Sequence, residues 1–575
     1  MVLEQWLMVV IFLSTIVGLI KYQYFPERVF AAASLTCFAT SLVSTEQLLA
    51  NAVNPGLVTL LLLVVCAFAF ERTGFLRRLA NVLFNGSVVK SYVRTLLATV
   101  LASGFLNNTA VIATLISPVK NNKLIAPNKL LLPLSYAAIL GGTLTLIGTS
   151  TNLIVNSMLI ERGVDGFAFF DFLPIGLTAV AACMVVIGFT VKRLNGKVND
   201  FAEVADYFVE AQVNKGSALI GKTVEQNGLR SLESLFLVEI VRESKLISPV
   251  TPSHIIREGD KLIFSGDITK ILVLQQFEGL TLFAEKDGLL RENLTEVVVK
   301  PGAAVVGKTL KTAGFRARFD AAVVAIRREG EKLSGKLGDV SIQAGDFLVL
   351  AVGPDFAKRT NLTKNFFILN GVKAENMLSG VKERIVTWGF VVTLGVALIL
   401  NISLLKCFIF YLAILIASRC LSLNEIKRRF PLELWLIVMS ALTLATALDN
   451  TGIALLIAEQ FKSLLTEQSA YVAFIGVFIL TLLFTELITN NAAAALTFPI
   501  AFAIAQGLEV SYLPFVLAVV FAASGSFMSP YGYQTNLMVY NAGNYKLKDF
   551  VLFGLPVSIT YSVVVLVLIP IFFPF

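Results

Sequence analysis

Two stretches of this 575-residue chain put neutral polar side chains into otherwise apolar surroundings. Residues 144–155 read LTLIGTSTNLIV and residues 527–540 read FMSPYGYQTNLMVY. Each places a glycine four residues before an asparagine that follows a threonine: Gly148, Thr151 and Asn152, then Gly532, Thr535 and Asn536. A second matched pair is FLNNTAVIATLISP, with Asn107 and Asn108, and LITNNAAAALTFP, with Asn490 and Asn491. Ser103, Thr109, Thr149, Ser150, Thr489 and Gln534 lie in or beside them. None of these forms a nucleophile–base pair or a transition-metal cluster, so the chain does not read as an enzyme. The chemistry they suit is ion binding. A helix interrupted at glycine offers N–H groups and positive dipole at one broken end, and carbonyl oxygens at the other. The first suits an anion, the second a cation such as sodium. No Arg or Lys falls in the four stretches, so an anion would be held by amides, hydroxyls and helix ends.

One carboxylate stands close by. Glu486, in LLFTELITNN, precedes Asn490 by four residues, one helical turn on the same face. An ionisable group in an apolar segment is a functional hypothesis by default: a cation ligand or a carrier of a coupling proton. The plainer reading is a protonated or hydrogen-bonded structural glutamate.

The elements that carry these residues follow from composition. The chain is 56% hydrophobic and 15% charged, with a mean hydropathy of +0.78, where a soluble protein carries about a quarter charged residues. Apolar runs near 4–21, 28–46, 56–74, 91–118, 130–160 and 171–192 precede a polar, strand-patterned region at 200–370. They resume near 384–402, 405–420, 431–449, 470–506, 511–540 and 550–573. Runs of this length cross about 30 Å of hydrocarbon, so the chain reads as a polytopic helical membrane protein. The first run lacks a basic flank and a cleavage site, and reads as a retained helix. Cys37, Cys66, Cys183, Cys407 and Cys420 all lie in apolar runs without metal-ligand spacing and read as packing residues. The net charge of +8 is a matter of topology and not of nucleic acid.

The two membrane halves are related. ERTGFL (Thr73, Gly74) pairs with DNTGIA (Thr451, Gly452) at an offset of 378, and FDFLPIG (Asp171) pairs with KDFVLFG (Asp549) at the same offset. The asparagine pairs are offset by 383 and the glycine–threonine–asparagine loops by 384. Four landmarks in one order at a nearly constant offset mark an internal repeat. With 91–118 and 470–506 taken as re-entrant hairpins turning at their asparagine pairs, each half has about five crossings. An insert that leaves and re-enters on one side then makes the repeats inverted. Sixteen basic residues, among them Arg72, Arg77, Arg78, Lys123 and Lys427, fall on the insert's side, against Arg162, Lys406 and Lys462 on the other. This puts the insert in the cytoplasm and the chain in the plasma (inner) membrane. The expected fold is therefore an all-α membrane protein of two inverted halves, 1–195 and 380–575.

The insert is itself duplicated. ALIGKTV (Gly221) and REGDKLIFSG (Asp260) recur as AVVGKTL (Gly307) and QAGDFLVLAVG (Asp346), both at an offset of 86. Two small α+β units are expected, 205–285 and 286–372, with LFLVEIVR and AAVVAIRR as strands and GKTVEQNGLR and GKTLKTAGFR as turns entering helices. GKT here lacks the upstream glycine of a phosphate-binding loop, and its glycines read as turn residues. His254 is the sole histidine, which excludes a histidine proton relay in the membrane.

At the residues quoted above, the chain resembles the divalent anion/sodium symporter family of the ion transporter superfamily. GGTLTLIGTSTNLIV, NNTAVIATLISP and TNNAAAALTFP are most similar to its sulfate-transporter-like branch, whose members often carry paired TrkA C-terminal (RCK-C) domains between the halves. The resemblance implies sodium-coupled symport of a small divalent anion by alternating access with an elevator motion, in a homodimer. It implies substrate contacts from Asn107, Asn108, Thr109, Thr149, Ser150, Thr151, Asn152, Asn490, Asn491, Gln534, Thr535 and Asn536. It implies sodium contacts from Ser103, Asn107, Asn108, Gly148, Glu486, Thr489, Asn490, Asn491 and Gly532. The family's Ser-Asn-Thr tips read Asn107-Asn108-Thr109 and Asn490-Asn491-Ala492 here, and the position matching Ser103 in the second half is Glu486. The family's loop prolines are replaced by Ser150-Thr151 and Gln534-Thr535. These departures favour sulfate, with a dicarboxylate as the alternative. The RCK-C-like pair implies a small regulatory ligand such as a cyclic dinucleotide; with no Rossmann lobe before it, NAD or ATP is not expected, nor any cofactor beyond the coupling sodium. Two other readings compete: a proton-coupled exchanger with Glu486 as carrier, and a membrane sensor that no longer transports.

Overall fold

A computed structural model describes the chain apart from residues 1, 23–24, 75–82, 85–86, 123, 195–205, 230–231, 233–234, 244, 248–249, 268–273, 275, 283–293, 329–330, 334–336, 353–355, 357–358, 360, 371–377, 379, 401, 454, 457–458, 460–468 and 544. Arg77, Arg78, Lys123 and Lys462, counted in the charge asymmetry, lie outside the described residues, as do the expected boundaries at 195, 205, 285, 286 and 372.

The first half holds α1 (Leu3–Lys21), α2 (Pro26–Ala39), α3 (Thr45–Ala52), α4 (Pro55–Glu71), α5 (Val88–Ser103), α6 (Asn108–Asn121), α7 (Pro127–Gly142), α8 (Ser150–Glu161) and α9 (Leu173–Thr190). The second repeats that order as α10 (Val381–Ile399), α11 (Leu404–Ala417), α12 (Leu423–Arg429), α13 (Leu432–Asn450), α14 (Ser469–Leu487), α15 (Asn490–Gly507), α16 (Tyr512–Ser524), α17 (Gln534–Ala542) and α18 (Leu547–Phe572). Among the described residues, six stretches are long and apolar enough to cross a membrane: α1, α3 with α4, α9, α13, α14 and α18. The protein is mostly helical, with two small antiparallel sheets in its middle.

Matched residues build matched elements. Ser44 and Gln47 close a capping box on α3, and Ser422 and Glu425, offset by 378, close the same box on α12. Asp171 accepts the Ala168 N–H at 2.7 Å before α9, and Asp549 accepts the Lys546 N–H at 2.8 Å at the start of α18. Packing is reciprocal too. Helix α2 lies on α13 and α11 on α4; α8 lies on α15 and α17 on α6; α9 and α18 lie on each other. One pair changes chemistry between its copies. Arg72 and Glu425 form an ion pair at 2.8 Å, while their counterparts Asn450 and Gln47 join by amides at 3.1 Å.

Each long apolar run at 91–118, 130–160, 470–506 and 511–540 is two helices separated by a break. Helix α5 ends at Ser103 and α6 begins at Asn108; α7 ends at Gly142 and α8 begins at Ser150. Close approach requires glycine at the second of these breaks: a Cβ on Gly148 would lie 2.5 Å from the Gly142 carbonyl oxygen.

In the insert, the first sheet contains β1 (Asp206–Val213), β2 (Leu235–Arg242), β3 (Lys245–Ile247), β4 (Lys261–Asp267) and β5 (Leu280–Leu282), in the order β3-β2-β4-β1-β5. The second contains β6 (Leu294–Val299), β7 (Ala321–Arg328), β8 (Glu331–Lys332), β9 (Phe347–Val352) and β10 (Phe366–Asn370), in the order β10-β6-β9-β7-β8. Shifted by 86 residues, the two orders are one topology. The recurring Gly-Asp pair is its hub. Asp260, fully buried, takes Arg242 Nη2 at 2.7 Å and the Arg257 N–H at 2.8 Å. Asp346 takes Arg328 Nε at 2.7 Å and the Gln343 N–H at 2.8 Å. The Asp260 carboxylate raises the Arg242 guanidinium further above its ordinary range, chiefly through this hydrogen bond. The helices expected after GKT are largely turns. The second copy has a five-residue helix, Phe315–Phe319, and the first copy has none among its described residues. Thr223 Oγ1 accepts the Gln226 N–H at 3.1 Å, Asn227 Nδ2 donates to the Leu219 carbonyl at 2.9 Å, and Gly228 turns to φ +66°. Side chains that bond the local backbone compete with helix in this way.

Candidate ion-binding site at the interrupted helices

Four helix N-termini meet where the breaks face one another: those of α6, α8, α15 and α17. Two carry side-chain caps. Asn107 Oδ1 accepts the Thr109 N–H at 2.9 Å, and Thr489 Oγ1 accepts the Ala492 N–H at 3.4 Å. Hydrogen bonds then cross between halves. Ser150 Oγ donates to Asn491 Oδ1 at 2.7 Å. Thr109 Oγ1 donates to Gln534 Oε1 at 3.3 Å. Asn108 Nδ2 donates to Tyr533 Oη at 3.0 Å, and Thr149 Oγ1 lies 3.0 Å from the same hydroxyl. Asn490 is a further partner of Tyr533. The floor (Asn108, Thr149 and Tyr533) is buried, while Asn107 and Gln534 are exposed and Thr109, Ser150, Asn490 and Asn491 half-buried. Helix N-termini carry partial positive charge, so this rim suits an anion without a formal cation.

The loop asparagines do different work. Asn152 Nδ2 donates to the Thr145 carbonyl at 2.8 Å, and Asn536 Nδ2 to the Ser529 carbonyl at 3.1 Å, each reaching back seven residues. Asn536 also donates to the Ser526 carbonyl at 3.0 Å and accepts Ser135 Oγ at 2.8 Å. Both are fully buried and hold the unwound backbone in shape. Thr151 pairs with Ser524 at 2.9 Å, whereas buried Thr535 Oγ1 has no hydrogen-bond partner, because Leu140 stands where its Ser524 equivalent would be.

In the first half, two buried side-chain oxygens near the tip are left unmatched. Ser103 Oγ and Asn108 Oδ1 are buried with no hydrogen-bond partner. A Cβ on Gly142 would lie 2.8 Å from Asn108 Nδ2 and 3.3 Å from both Asn108 Oδ1 and the Gly148 carbonyl oxygen, so the Asn108 amide and that carbonyl border one small space. A buried acceptor left unmatched costs about 1–3 kcal/mol, and a cation removes that cost. Neutral hydroxyl, amide and carbonyl oxygens are the donor set of a hard monovalent cation, so the residues fit sodium. The second half differs. Glu486 Oε1 accepts the N–H groups of Phe527 and Met528, both at 3.0 Å, and Oε2 accepts Ser526 Oγ at 3.3 Å.

Tyr533 and Ser135 were not among the expected site residues. Aligning GTSTN with GYQTN exposes the first, since Tyr533 occupies the position of Thr149.

The chain is 29% identical over 546 residues to an uncharacterised transporter of Synechocystis sp., covering 90% of this chain and 89% of that protein. It is 29% identical over 565 residues to a Chlamydomonas reinhardtii protein named putative sulfur deprivation response regulator, covering 93% and 96%. It is 28% identical over 391 residues to sodium/sulfate cotransporter 1 of Chlamydomonas reinhardtii, covering 65% of this chain and 44% of that protein. The citrate transporter family, CitMHS, matches residues 6–520. The chain is thus a transporter, not an enzyme, and belongs to the CitMHS citrate transporter family.

Proposed function

We propose that this protein is a sodium-coupled symporter of a small divalent oxyanion, with sulfate favoured over a dicarboxylate. The observation that carries the reading is the meeting of four helix N-termini beside two unmatched buried side-chain oxygens. The anion sits on the N-termini of α6, α8, α15 and α17, held by Asn108, Thr109, Ser150, Asn490, Asn491 and Gln534. Sodium sits behind it on Ser103, Asn108, and the backbone of Gly148. Relatives named as sodium/sulfate cotransporters support the ion and the anion, while the name of the family itself keeps citrate among the candidates.

The halves are inverted copies that alternate access to this shared site, and the reciprocal packing of α2 on α13 and α11 on α4 supports a two-fold relation between them. The matched sheets act as an RCK-C-like regulatory pair on the cytoplasmic side, open to a small ligand such as a cyclic dinucleotide, and the transporter works as a homodimer in the plasma membrane. A flux screen in proteoliposomes over sulfate, thiosulfate, phosphate, succinate and citrate, with and without sodium, tests the reading. Sulfate uptake that requires sodium is the expected result. Uptake driven by a proton gradient without sodium would replace it with the exchanger reading.

A further inference from the structure

The two halves solve the same electrostatic problem with opposite charge. Behind the first tip, Ser103 Oγ, Asn108 Oδ1 and the Gly148 carbonyl are acceptors. The equivalent place behind the second tip holds Glu486, at an offset of 383 from Ser103. There the loop presents donors. The Phe527 and Met528 N–H groups and Ser526 Oγ all point at the carboxylate. Their first-half counterparts, the N–H groups of Thr143 and Leu144, are already spent on the carbonyls of Leu140 and Gly141 at 3.2 and 3.1 Å. The loop after α16 is therefore unwound one step earlier, and Glu486 collects the N–H groups thus freed. Asn491 differs from Asn108 in the same direction: its Oδ1 accepts Ser150 Oγ at 2.7 Å, while Asn108 Oδ1 is unmatched.

A cation needs oxygens turned toward it, and N–H groups aimed into a site oppose it. We propose that the Glu486 carboxylate is a built-in counter-charge that stands in place of a second coupling cation, so that sodium binds in the first half alone. The inference rests on the symport reading above. The Glu486 carboxylate supplies from within the chain the negative partner that the loop N–H groups require, and it adds a repulsion toward an anion seated at the nearby tips.

The test is initial sulfate uptake in proteoliposomes against external sodium, in wild type and in Glu486→Gln. Glutamine keeps one carbonyl oxygen for the two N–H donors and removes the charge. Wild type is expected to give a Hill coefficient for sodium of about 1, and an inside-positive potential should speed uptake, because sulfate with a single sodium carries net negative charge. In Glu486→Gln the Hill coefficient should stay the same while the sulfate KM falls several-fold. A merely structural glutamate would leave the sulfate KM unchanged or raise it. A Hill coefficient of about 2 in wild type that drops in the variant would make Glu486 a sodium ligand and overturn the inference alone. Uptake with no sodium dependence in wild type would overturn the symport reading itself, and this inference with it.

Discussion

Thr149 Oγ1 and Tyr533 Oη lie 3.0 Å apart and occupy equivalent positions in the two halves, 384 residues from each other. A residue that touches its own repeat mate lies where the two copies meet. Tyr533 also takes Asn108 from the first tip and Asn490 from the second, so one hydroxyl ties all four breaks together. Removing it in Tyr533→Phe leaves Asn108 and Thr149 to find new partners in a buried space, at a cost of about 1–3 kcal/mol. The expected outcome is a sulfate KM raised about tenfold or more, with the protein still folded by thermal unfolding of the purified transporter.

Asn152 and Asn536 bind loop carbonyls and should act mainly on stability. Asn152→Ala and Asn536→Ala each strand buried carbonyl oxygens and are expected to lower stability by about 1–3 kcal/mol. Ser150→Ala, on the half-exposed rim, should leave stability within about 0.5 kcal/mol and weaken anion uptake instead. Thermal unfolding and uptake kinetics on the same preparations separate the two classes.

The insert touches α6. Lys120, in the last turn of α6, reaches Glu296 of β6 at 3.0 Å and lies 5.0 Å from the centre of the Phe347 ring on β9. The same helix carries Asn108 at its other end, so a sheet and the proposed ion-binding tip are joined by one element. Lys120→Glu should slow uptake, and the charge-reversed double variant with Glu296→Lys should recover part of the loss. A coupling of about 1 kcal/mol between the two sites in a double-mutant cycle is expected.

Asp260 and Asp346 are equivalent, fully buried hubs with one arginine each. Asp260→Asn or Asp346→Asn leaves an arginine short of its partner, and a loss of about 3 kcal/mol is expected for the sheet concerned. Hydrogen–deuterium exchange on the full chain should report faster exchange in β1–β5 for the first variant and in β6–β10 for the second.

Much of this was legible in the residues. The offsets of 378, 383 and 384 foretold matched helices, because caps such as Ser44 with Gln47 and Ser422 with Glu425 are local and recur with the sequence. The 86-residue offset foretold two sheets of one topology. What the sequence left open was decided by neighbours from distant parts of the chain. Asn152 and Asn536 stand out in one dimension as ligands, and the fold adds a partner the sequence did not show, a carbonyl seven residues upstream on unwound backbone. Tyr533 looks like an aromatic packing residue until the other half brings Thr149 and Asn108 to its hydroxyl. The short turns after GKT escaped because Asn227 and Thr223 bind backbone that a helix would have used.

Calorimetric titration of sulfate into the purified transporter, with and without sodium, probes the proposed pairing of anion and cation at adjoining sites that share Asn108. Sulfate is expected to bind at least tenfold tighter in sodium than in choline, with loss of that difference in Asn108→Ala, since linkage between two ligands is reciprocal. Sulfate binding of equal strength in both salts, or a sodium effect that survives in Asn108→Ala, would contradict that pairing.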